Sequence, residues 1–328
     1  AAWLLILILL LTCLPAAAGA QSVPTVVSPE VAADGTVTFR YVGDATVTRV
    51  QVMGEWSKDP TGTYFCAQPA WPTPDMTQDA NGVWTYSVKL EPNYYNYRFY
   101  VWHGDTRANV ADPLNPPWDP TGINSQVFVP GPGVEWLGPQ NVPHGKLQVV
   151  WYYSAAAQMQ RRMTIYTPPG YERGRWTYPT LYLSHGGGGN DVDWSTQGAA
   201  NNIIDNLIAA GQTRPMVVVM TNFNGIPGGT DGFRLDLINS LIPAVESQYR
   251  VSKDARQRVY AGLSAGASRG QNILFNSPEA FGVFGLWSGG KSIPSDELYA
   301  DPDFLAVRGI HIRCGLSDRP SQEQVDSL

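Results

Sequence analysis

Basic residues are scarce in this chain. Lys and Arg number 22 against 28 Asp and Glu in 328 residues, a formal net charge of −6. No cluster of them stands ready to neutralise phosphates, which excludes nucleic acid as a partner. Cysteine is scarcer still, with Cys13, Cys66 and Cys314 the three present. Cys66 and Cys314 lie far apart in sequence and read as two separately buried thiols, not as a disulfide framework. Histidine occurs four times, as His103, His144, His185 and His311. The nearest approach to a metal cluster is His185 with Asp191 and Asp193, which loop hydrogen bonding explains, so neither metal nor other cofactor is expected. The apolar run from Trp3 to Leu11 is too short for a bilayer, which takes about 20 residues. It leads to Ala18-Gly19-Ala20, a cleavage pattern, so residues 1–20 read as a signal peptide without its basic start, cut before Gln21. The mature chain is then secreted or periplasmic, with no stable membrane insertion. What is plentiful instead is Gly, Pro, Trp and Tyr, at 33, 26, 11 and 16. That mix suits an exported, loop-rich protein that handles polysaccharide.

Two periodicities divide the chain. From Val31 to about Val129 the pattern alternates: Val37, Phe39 and Tyr41 share one face, and so do Trp84, Tyr86, Val88 and Leu90. Turn signals such as Asp34-Gly35 and Asn81-Gly82 bound these runs, which predicts an all-β sandwich over residues 21–130. Residues 131–145 belong to a stretch dense in Pro and Gly and read as a linker. Over 146–328 strands and helices alternate. "PTLYLSH", "MVVVMTN", "QRVYAGL", "FGVFGLW" and "GIHIRCG" read as strands. Ile203, Ile204, Leu207 and Ile208 form one helical stripe ending at Gly211, and Leu237, Ile238, Leu241, Ile242 and Val245 form another, bent at Pro243. This order implies a mostly parallel sheet covered by helices.

Within that half, "VYAGLSAGASRG" places Ser264 between Gly262 and Gly266. Glycine fills 33 of 328 positions, so among twenty serines an accidental G-x-S-x-G has a probability of roughly one in five. Context carries more weight, because a strand runs directly into Ser264 and a helix with a small-residue start leaves it. A strained strand-to-helix turn of this kind exposes a nucleophilic hydroxyl, and only glycine fits two residues to either side. The second element is "LYLSHGGGGNDVDW", whose glycines let backbone N–H groups approach an oxyanion. Gly187 and Ala265 are the expected donors. A phosphate loop is excluded because no G-K-[ST] follows. Asp318, just past the last strand, stands where the acid follows the serine in an α/β-hydrolase.

Residues 140–328 resemble the esterase D-like family that includes carbohydrate esterase family one, the feruloyl and acetylxylan esterases. The resemblance rests on "RRMTIYTPPGY", "LYLSHGGGGNDVDW", "NNIIDNLIAAG", "LINSLIPAVESQYRV", "RVYAGLSAGAS" and "CGLSD", in that order. It implies an α/β-hydrolase with Ser264 as nucleophile, Asp318 as triad acid, and Gly187 and Ala265 at the oxyanion hole. Ala265, Ala267 and Ser268 depart from the family's Met and Gly-Gly, which bears on pocket shape more than on chemistry. The family's histidine follows the acid after a helix and a strand, so the general base is expected beyond residue 328. "VQVMGEWS", "DANGVWTYSVKL", "YNYRFYVWHGD" and "ADPLNPPW" resemble immunoglobulin-like early-set domains related to carbohydrate-binding module family forty-eight. There Trp56, Trp71, Trp102 and Trp118 are candidates either to stack on sugars or to fill the sandwich core or the domain interface. The implied activity is a secreted serine esterase acting through an acyl-enzyme on feruloyl or acetyl groups of xylan, with an ester-substituted polysaccharide or oligosaccharide as substrate. An enterochelin-type siderophore esterase and a carbohydrate-binding protein with a dead hydrolase half are the alternatives.

Overall fold

The computed structural model describes residues 26–56, 73–290, 292 and 294–314. Four features singled out above, residues 1–20, Cys66, Trp71 and Asp318, lie outside the described residues. The first eight strands are β1 (Glu30–Val31), β2 (Thr36–Val42), β3 (Arg49–Gly54), β4 (Thr77–Gln78), β5 (Val83–Lys89), β6 (Asn93–His103), β7 (Thr106–Val110) and β8 (Ser125–Val129). They build two antiparallel sheets, one ordered β1-β2-β5-β4 and one in which β6 pairs with β3, β7 and β8. The register sets Val37 opposite Val88, Phe39 opposite Tyr86 and Tyr41 opposite Trp84, as the alternation predicts. Val37, Phe39, Val50, Val52, Tyr97 and Phe99 are wholly buried between the sheets. Trp56 stacks on Phe39 at 5.0 Å, so this candidate packs on the core. Trp102 lies under Arg49, whose guanidinium is 5.6 Å from the ring.

Seven further strands form the second body: β9 (Lys146–Ser154), β10 (Met159–Thr167), β11 (Thr180–Ser184), β12 (Val217–Thr221), β13 (Arg258–Leu263), β14 (Val283–Trp287) and β15 (Gly309–Arg313). They stand in the order β15-β14-β13-β11-β12-β10-β9. The neighbours from β12 through β15 pair in parallel, while β10 runs antiparallel to both β12 and β9. Helices α1 (Asp193–Thr196), α2 (Ala200–Ala209), α3 (Gly229–Asp236), α4 (Ile242–Gln248) and α5 (Ala265–Asn276) connect them. This is the α/β-hydrolase arrangement. The central strands are largely buried, β12 at every residue, which explains their apolar runs.

Two helices depart from the simple stripe. In α2 the buried face includes Asp205 and Asn206 as well as Ile204. The Asp205 carboxylate accepts hydrogen bonds from Tyr166 Oη at 2.5 Å and the Gly145 amide at 2.9 Å. Asn206 Nδ2 donates to the carbonyls of Trp136 and Gly138, so the Pro/Gly-rich stretch is fastened to this helix. Before α4, residues Leu237–Leu241 take a π-helical turn. Pro243 has no N–H for the carbonyl four residues back, and the widened turn absorbs that loss.

Candidate active site

β13 runs into Ser264 at the carboxyl ends of the parallel strands, and α5 begins at the next residue. Ser264 has φ 52 and ψ −110, a left-handed conformation that costs a non-glycine residue about 1–3 kcal/mol. Packing enforces it. The Ser264 amide donates to the Trp287 carbonyl at 2.8 Å, and the Ser268 amide donates back to the Ser264 carbonyl at 3.0 Å. A Cβ on Gly262 would stand 2.4 Å from the Gly266 carbonyl carbon, and one on Gly266 would stand 2.6 Å from the His185 oxygen. The two outer glycines of the motif are therefore sites of backbone contact. Sequence reasoning missed a third: a Cβ on Gly289 would lie 2.4 Å from the Ser264 carbonyl oxygen. Its signal was the Gly289-Gly290 pair one residue past β14.

The Ser264 side chain is exposed. The Ala265 amide, first in α5, is among the helix N–H groups that lack an intrahelical acceptor. The loop after β11 lies alongside. A Cβ on Gly186 would sit 3.9 Å from Ser264 Cβ, whereas one on Gly187 would meet no atom within 4 Å. Gly187 and Gly188 are exposed, so both the loop and the serine face one open space. Trp194, just after this loop, and Trp287, at the end of β14, pack on each other with ring centroids 5.7 Å apart at 69°.

His185 begins this loop and is 1% exposed. Its ring stacks on Phe223 at 3.8 Å, and the Arg269 guanidinium lies over Phe223 at 3.6 Å. Burial pushes the His185 pKa down and so disfavours the charged ring. His311 on β15 accepts from Trp287 Nε1 at 3.1 Å through Nδ1. His144 bonds Asp205 and His103 bonds Thr46. Among the described residues, no histidine hydrogen-bonds Ser264. The acids of the loop also have partners of their own, with Asp191 bound by Arg162, Thr164 and Asn222.

Residues 154–304 match the profile of the Esterase family. Over 264 residues the chain is 32% identical to an endo-1,4-beta-xylanase/feruloyl esterase of Xylanibacter ruminicola, covering 75% of this chain and 35% of that protein. The chain thus spans about a third of that relative's length. Among solved structures, the enterobactin esterase of Shigella flexneri superposes with a TM-score of 0.62 at 19% identity, over 89% of this chain and 84% of that one. The feruloyl esterase module from Clostridium thermocellum, in a complex with sinapinate, gives 0.50 at 22% identity, over 61% and 78%. Those two likenesses concern the fold. They show the α/β-hydrolase fold.

Proposed function

We propose that this chain is an exported serine carboxylic-ester hydrolase that removes acyl groups, feruloyl in particular, from xylan. The observation that carries the reading is Ser264, held at φ 52 in the strand-to-helix turn with the glycine loop beside it. Ser264 Oγ attacks the ester carbonyl, and the negative charge that develops is received by the Ala265 amide and by Gly187 of the loop. The alcohol departs, leaving an acyl-enzyme that water hydrolyses. Asp318 serves as the acid that orients the base. Residues 146–328 belong to the catalytic unit in this reading, joined by 131–145 to the sandwich of 21–130. The substrate class is drawn from the relative named as a xylanase and feruloyl esterase, whose alignment covers 75% of this chain, more than residues 146–328 alone amount to. The Trp3–Leu11 run and the Ala18-Gly19-Ala20 pattern support export.

Offering the full-length protein methyl ferulate, acetylated xylan and a catecholate trilactone tests the reading. Release of ferulate, or of ferulate and acetate, is expected. Turnover of the trilactone alone would overturn it.

A further inference from the structure

Asp191 closes the glycine loop, and its carboxylate is fully buried. Arg162 on β10 supplies the counter-charge, with Nε 3.0 Å from Oδ1 and 2.9 Å from Oδ2. Thr164 Oγ1 donates to Oδ2 at 3.0 Å and Asn222 Nδ2 to Oδ1 at 3.2 Å. The loop itself is tied from the same quarter, since Asn224 Nδ2 donates to the Gly189 carbonyl at 2.6 Å.

The same guanidinium reaches the N-terminal sandwich through Nη2. Arg162 Nη2 lies 3.3 Å from Thr121 Oγ1 and 3.7 Å from Asp119 Oδ2. Asp119 is 7% exposed and shapes its own turn by accepting from the Thr121 amide and hydroxyl at 2.9 and 2.6 Å. Two more bonds cross nearby, Trp118 Nε1 to Ser195 Oγ at 3.0 Å and Asn124 Nδ2 to Gln197 Oε1 at 2.9 Å. Every partner on the loop side falls in Asp191–Gln197, directly after the glycines. One planar fork thus serves two carboxylates that belong to different halves of the chain, a task that a point-charge lysine cannot reproduce.

We infer that Arg162 is a positioning residue: by gripping Asp191 through Nε and the Asp119–Thr121 turn through Nη2, it makes the placement of the Gly186–Asn190 loop depend on the sandwich. The inference rests on the reading that this loop's N–H groups receive the oxyanion. Its consequence is that a sandwich residue remote from Ser264 tunes the rate of the chemical step.

Steady-state kinetics on methyl ferulate with full-length variants test this. Arg162→Met is expected to lower kcat about 100-fold, the scale of a displaced oxyanion donor, with KM within about twofold. Arg162→Lys should recover less than about tenfold of that loss. Asp119→Asn, in the other half of the chain, should lower kcat about five-fold at unchanged KM and unchanged unfolding temperature. The double variant Asp119→Asn/Arg162→Met should be no worse than Arg162→Met alone, because both act through one guanidinium. Should Arg162→Met fail to fold, the same cycle is run with Arg162→Lys. Unchanged kcat in Asp119→Asn, or losses that simply multiply in the double variant, would overturn the inference. Ser264→Ala runs alongside: if it keeps turnover, the esterase reading itself falls, whereas an inactive Ser264→Ala beside a normal Asp119→Asn sinks only the coupling.

Discussion

Ser264→Ala is expected to lose about 10⁴- to 10⁶-fold in kcat on any ester the full-length protein turns over. It should do so without loss of stability. Alanine keeps the Cβ and meets the same backbone cost at φ 52 as serine does, so the strain is common to both proteins. The hydroxyl makes no hydrogen bond to the described residues that the fold would miss, and the backbone bonds to Trp287 and Ser268 do not involve it. Activity assays beside thermal unfolding check both halves. A large fall in unfolding temperature would mean that the hydroxyl is structural, and retained turnover would mean that it is not the nucleophile.

Gly266→Ala should be destabilising, inactivating or both. Its new Cβ would face the carbonyl oxygens of His185 and Ser184 at 2.6 and 2.7 Å. Both are backbone atoms at the end of β11, so no side chain can swing away and α5 must back off from the sheet. Overpacking of this kind costs about 3 kcal/mol or more. A shift approaching 1 Å between the elbow and the glycine loop would take kcat down about 100-fold. Gly187→Ala is the matched control, because a Cβ there meets nothing within 4 Å. It should fold with the parent's stability. Chemical denaturation of the two variants reads the contrast, and equal stabilities would show that the Gly266 contact is soft.

The features legible in the sequence were those whose cause is local. β11, β12 and β14 are apolar runs because both faces are largely covered, and Gly262 and Gly266 lie two positions from the serine they flank. What escaped depends on partners distant along the chain. The β9–β10 hairpin was hard to see because β9 is an edge strand whose Trp151 and Tyr153 are each 58% exposed, so its aromatics mark no core. Asp205 and Asn206 lie outside the apolar stripe of their helix, yet they are buried against a stretch some sixty positions earlier. Arg162 and Asp191 are unremarkable as single residues, and only the adjacency of β10 to the glycine loop makes them a pair. Of the four tryptophans weighed for sugar binding, Trp56 packs on Phe39 and Trp102 beneath Arg49. Trp118 is 43% exposed yet bonded across to Ser195, a placement no alternation in its own segment could reveal.

Covalent capture decides whether Ser264 is the nucleophile. The full-length protein is treated with an alkyl fluorophosphonate, digested and mapped by mass spectrometry. The account predicts one phosphonyl group per chain, on the peptide containing Ser264, in step with loss of ester turnover and absent from Ser264→Ala. A label on another residue that tracks the loss of activity, with Ser264 unmodified, would contradict it.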